Sequence, residues 1–78
     1  MIVLHRSRTV WRTSDPESYD ILCEDVPSRD PLSREPKAFL VIAVNPTEPE
    51  RGDAGWLCVL LRGRCGWITV RAGDTVIP

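Results

Sequence analysis

A chain of 78 residues is long enough for one domain and one small core. With 27% charged and 42% hydrophobic residues, it has the composition of a folded chain rather than a disordered one. Its net charge of -1 argues against bulk electrostatic attachment to nucleic acid or to an anionic membrane.

The charges are unevenly placed. Arg6, Arg8, Arg12 and His5 fall within the first thirteen residues, where there is no acid, whereas residues 14–53 are rich in Asp and Glu. Lys37 is the single lysine, and every other basic residue is Arg, which suits bidentate and stacked contacts. The opening MIVLHRSR is too short for a signal peptide, and no apolar run reaches membrane-spanning length. Cys23, Cys58 and Cys65 are odd in number and form no C-x-x-C pair. That pattern predicts neither a disulfide framework nor a metal site, and points to a reducing, cytoplasmic setting.

In chain order, residues 2–13 read as extended, with Ile2, Val3, Leu4, Val10 and Trp11 broken by Ser7 and Arg8. Ser14, Asp15 and Pro16 signal a turn. Residues 19–25 (YDILCED) are a second candidate strand. Residues 26–37 contain Pro27, Pro31 and Pro36 and read as a long polar loop, because proline removes ladder donors and breaks helices. Residues 38–44 (AFLVIAV) are an unbroken apolar run and the clearest core strand. Residues 45–54 form a second acidic, proline-containing loop. Residues 55–68 (GWLCVLLRGRCGWI) then read as a tight hairpin, and residues 75–77 as a last short strand. No window has a helical period. The expectation is an all-β domain, a small barrel of five or six strands over residues 19–78, with residues 1–18 as an N-terminal extension pairing or packing on it.

The hairpin turn is either Arg62-Gly63 or Gly63-Arg64, and both require a positive φ at glycine. Side chains alternate across a strand, so either register puts Leu57, Val59, Leu61 and Ile68 on one face. Trp67 then shares the other face with Leu60. Gly66 falls beside the core residues, where a missing side chain permits sharp coiling. Residues 38–44 and 57–61 are apolar on both faces. A cover is therefore expected outside, either the N-terminal segment with Trp11 or a second copy of the chain.

Across residues 19–77 this order resembles the SH3-like superfamily. The nearest local pattern is the bacterial form, with Gly55-Trp56, Val59 and Gly63-Arg64-Cys65-Gly66-Trp67. The resemblance implies residues 19–25 as first strand, 26–37 and 45–54 as the two ligand-flanking loops, and Trp56 as an exposed ring against a proline-rich segment. Such domains pair loop acids with basic residues of the ligand. Asp30 and Glu35 match the first loop, Glu50 and Asp53 lie in the second, and Tyr19 is the only tyrosine where these domains carry a pair.

The functional expectation is a non-catalytic protein-binding module, an accessory subunit or small modulator of a larger protein. It would use Trp56, Asp30, Glu35, Glu50, Asp53 and Tyr19, or a sheet edge. One alternative is a nucleic-acid-binding barrel with Arg6, Arg8, Arg12, Arg62, Arg64 and Arg71 as its basic face. Another is an assembly protein that forms a homo-oligomer. Catalysis is not expected, because His5 is the only histidine and sits in what reads as a mobile end. The three cysteines read as small apolar fillers. No metal or cofactor is expected.

Overall fold

The computed structural model describes residues 1–15, 17–18, 20–47 and 53–78. The strands are β1 (Ile2–Val3), β2 (Arg8–Trp11), β3 (Ile21–Val26), β4 (Ala38–Phe39), β5 (Val41–Asn45), β6 (Trp56–Leu61), β7 (Arg64–Thr69) and β8 (Thr75–Val76). There is no helix among the described residues. The strands form two antiparallel sheets, of order β4-β1-β8 and β3-β2-β7-β6-β5.

The hairpin behaves as its sequence requires. Arg62 and Gly63 both take positive φ, 49° and 77°, so the turn sits at Arg62-Gly63 and matches the twist of the strands. Leu57 pairs with Ile68, Cys58 with Trp67, and Val59 with Gly66. Leu57, Val59 and Ile68 are buried in the core with Leu61 packed against them. A Cβ on Gly66 would come within 2.2 Å of the Val10 Cγ1. The absent side chain is therefore the space into which β2 packs.

The apolar run at 38–45 is one strand shared by two sheets. β4 pairs with β1, β5 pairs with β6, and the Leu40 carbonyl between them accepts the Leu60 N–H at 3.0 Å. Strands that bend in this way make the corners between sheets packed at an angle. A register shift between Val41 and Ala43 inserts one extra residue in β5, a bulge that increases the local twist.

Two expectations change here. Residues 2–11, expected to pair with or pack on a barrel, do pair with later strands, but as interior strands of the two sheets. β1 is the middle strand of the small sheet and β2 the second strand of the large one, with Ile2, Leu4 and Val10 in the single core. The N-terminal amine donates to the Ile77 carbonyl, and the Ile77 N–H donates back to Met1, which ties the two ends together. Nor do the described strands close into a barrel of five or six strands. There are eight, and β3 and β5 remain the edges of the large sheet. The bend at Leu40 sends the chain into the second sheet instead of around the first.

The outer face of β6 and β7 is partly covered. Trp56, Cys58 and Thr69 are buried, and Trp11 and Trp67, paired across β2 and β7, are half-buried beside them. The Asn45 side-chain amide donates to the Ser14 hydroxyl at 3.1 Å, which brings the β2–β3 connection across to β5. Cover from the N-terminal segment is the expected device. It reaches β5 only at Asn45 and leaves Leu40 and Ile42 exposed on that face; past the bulge Val44 pairs with Leu57 and is exposed on the opposite face.

Candidate functional site

The expected aromatic anchor is not on the surface. Trp56 is only 4% exposed, and its Nε1 finds no hydrogen-bond partner among the described residues. Alternation places it on the same face as Cys58, and it pairs with Asn45 on one side and Thr69 on the other. Its ring acts as packing, so the role implied by the resemblance does not fit its position.

The acids divide. Asp30 turns inward on its own loop, where its Oδ1 accepts the Leu32 and Ser33 N–H groups at 2.8 and 3.0 Å. Those backbone donors hold its carboxyl below the usual carboxylate range. It is therefore a turn-forming residue. Glu35 is exposed and Asp53 half-buried. Tyr19 and Glu50 lie outside the described residues. Trp56, Asp30, Glu35 and Asp53 are not brought into one ligand groove by any contact among the described residues.

The proposed basic face is also broken up. Arg8 is 3% exposed, because it alternates with Val10 toward the core. Its guanidinium donates from Nη1 to the Thr69 carbonyl at 2.7 Å, and from both Nη atoms to the Asp74 carboxylate at 2.9 and 2.7 Å. Arg12 pairs with Asp20 at 3.1 Å on the surface. Arg6, Arg62, Arg64 and Arg71 are exposed. Arg64 starts β7 and Arg71 lies beyond its end, so the length of an extended strand, roughly 17 Å or more, separates them.

Asp74 gathers a cluster that the sequence reading did not assemble. Its side chain is fully buried. Besides Arg8, it accepts the Arg71 N–H at 2.9 Å and the His5 N–H at 3.3 Å, and its Oδ1 lies 2.9 Å from the His5 Nδ1. Burial alone would raise this carboxyl's pKa. The Arg8 hydrogen bonds, helped by the Arg71 and His5 donors, outweigh burial and hold it far below the usual range. His5 is therefore anchored, not part of a mobile end, and its ring packs against Gly73. The signal was present: Asp74 is the only acid after residue 53, among Arg62, Arg64 and Arg71.

Among the cysteines only Cys58 is buried; Cys65 is exposed, in keeping with its place at the turn, and the exposure of Cys23 corrects its reading as a filler. Burial, then the neighbouring Cys65 thiol, push the Cys58 thiol up, so it favours the inert protonated form. No group of three or more His, Cys, Asp or Glu suited to a metal ion occurs among the described residues.

The two edges of the large sheet differ in kind. β3 carries Glu24 and Asp25, an irregular register against β2, and a positive φ of 53° at Asp25. Charge and irregularity of this sort discourage pairing with another chain. β5 reads VIAVN and has no charge. Ile42 is 46% and Val44 64% exposed, flanked by exposed Leu40 and Leu60. Among the described residues no strand pairs with its outer side.

No protein family, curated protein or solved structure matches the chain.

Proposed function

We propose that the chain is a non-catalytic protein-binding module that takes up an extended segment of a partner protein along β5. The observation that carries this reading is the contrast between the edges: β3 is guarded by acids, and β5 is uncharged and apolar. A segment added to β5 gains backbone hydrogen bonds, while Leu40 and Ile42 on one face and, past the bulge, Val44 on the other supply apolar contacts to its side chains. The exposed Leu60 on the neighbouring strand extends that surface.

The SH3-like reading is supported by connectivity rather than by Trp56. It works best with β1 as the first strand, residues 4–37 as the long excursion containing the β2–β3 hairpin, and β4/β5, β6 and β7 as the meander. β8 is then the last strand, returning beside β1. The partner surface moves accordingly, from the tryptophan and the loop acids to the sheet edge. An accessory or modulator role is the one an open sheet edge suits.

The test is Val44→Lys, a change on a side chain that is already exposed. The variant is expected to keep its melting temperature while losing the partner that the unmodified chain captures from its host. Light scattering separates the homo-oligomer, since self-pairing through β5 would convert to monomer in the variant. Retention of the partner at wild-type level by a folded Val44→Lys chain would overturn the edge reading.

A further inference from the structure

A groove of about 490 Å³ lies at the opposite side of the large sheet from β5, between β3, the 27–37 loop and the end of the β6–β7 hairpin. Its apolar surface comes from Leu22, Val26 and Leu61, with Pro27 and Pro31 stiffening the loop wall. Lys37 stands on the loop side, and Arg62 and Arg64 on the hairpin side. Asp25 is the one acid that lines it.

This balance runs against that of the chain as a whole, whose net charge is -1. None of Lys37, Arg62 and Arg64 forms an ion pair among the described residues. The nearby Asp30 is committed to the Leu32 and Ser33 amides of its own turn. Two walls of positive charge, with Lys37 acting on Asp30 through space but in no close ion pair, stand over an aliphatic floor and are complementary to an anion that carries an apolar group. Polynucleotide fits less well, because no aromatic ring lines the groove to stack a base. The volume is within the range of specific ligand sites.

We infer that this groove binds a short acidic peptide segment bearing an aliphatic side chain, with Lys37, Arg62 and Arg64 pairing its carboxylates. The inference takes from the preceding reading only the class of partner, a peptide, and the site is separate from β5. Arg64 is the residue to change, since it is exposed and stands at the start of β7 with its side chain free of hydrogen bonds among the described residues. Arg62 is less suitable because its φ of 49° belongs to the turn.

The experiment is an NMR titration of the full chain with two synthetic peptides, acetyl-Glu-Leu-Glu-Leu-Glu-amide and its lysine counterpart. With the acidic peptide, amide shifts should concentrate in residues 22–27, 37 and 61–64. Arg64→Glu should weaken that binding by about tenfold or more, as expected for loss of a charge contact with reversal of its sign. Lys37→Glu serves as the second variant, and the spectrum of each free variant establishes that it folds. Val44→Lys should leave this titration unchanged, so failure of the edge reading and failure of this one are distinguishable. The inference is overturned if the acidic peptide produces no localised shifts at millimolar concentration. It is equally overturned if the lysine peptide binds as well, or if an oligothymidylate occupies the same residues more tightly.

Discussion

Asp74→Ala probes the contact that joins the two ends of the fold. The Asp74 carboxylate has no exposed surface, and the Arg8 side chain is 1% exposed. Removing the carboxylate leaves the Arg8 guanidinium buried with only the Thr69 carbonyl, while its Nε already has no partner. Breaking a buried, hydrogen-bonded ion pair from one side costs about 3–5 kcal/mol. A domain of this length has a total stability of roughly 4–12 kcal/mol, so the change removes about a quarter or more of it. The melting temperature should fall by about 12 °C or more, since ~1 kcal/mol corresponds to ~4–8 °C in a small domain. Urea and thermal unfolding followed by circular dichroism read this directly. Replacing both partners, Arg8→Met with Asp74→Leu, should cost clearly less than the sum of the single changes, because no uncompensated charge remains buried.

The same carboxylate fixes the sign of the pH dependence. Its pKa in the fold lies below the unfolded value of about 3.9. Its contribution is therefore complete above about pH 5 and is lost as the pH falls below 4 toward the folded-state value. The wild type should lose stability steeply in that acid window, and Asp74→Asn should show a shallower slope. An Asp74→Ala variant that loses less than about 1 kcal/mol would refute the reasoning, because a pair worth so little behaves as a surface pair.

Three further outcomes follow from the packing. Gly66→Ala puts a methyl against Val10 and Leu22 and should cost about 1–3 kcal/mol by overpacking, measured by urea unfolding. Trp56→Ala should cost about 3–5 kcal/mol through the cavity it leaves. Trp56→Phe should cost much less, because the Nε1 it removes is not hydrogen-bonded among the described residues. A thiol reagent should label Cys23 and Cys65 in the native chain and reach Cys58 only on unfolding; rapid native labelling of all three would contradict the burial of Cys58.

Much of this architecture is legible in the sequence because it depends on local period and turn chemistry. The run at 56–69 alternates around an Arg-Gly turn, and its core face of Leu57, Val59, Leu61 and Ile68 follows from alternation alone. The candidate strands at 19–25 and 38–44 overlap β3 and the β4–β5 run, the second of them because it is an unbroken apolar run between Pro36 and Pro46. What alternation cannot show is where a strand changes sheets. Nothing local at Leu40 distinguishes a straight strand from one that bends, so residues 2–11 read as an addition to a barrel instead of an interior strand in each of the two sheets.

The site was less legible for the same reason. Arg8 and Asp74 are 66 positions apart, and each alone resembles an ordinary surface charge. Only the pairing of the chain ends makes them a buried pair. The resemblance favoured an exposed Trp56 over a ring that roofs the strands, and the second reading fits its burial. Its partners Asn45 and Thr69 lie on β5 and β7, the strands that flank β6 on either side. The open edge was implicit in the two-sided apolar character of 38–44, which called for a cover that the described chain supplies to β6 and β7 but not to β5.

Hydrogen exchange on β5 tests the central claim most directly. The amides of Val41–Asn45 should be compared in the free chain and in the complex captured from the host. The β5-binding account predicts strong new protection at alternating positions of β5 in the complex, absent with Val44→Lys. A complex that forms with β5 exchange unchanged, and protection elsewhere, would contradict it.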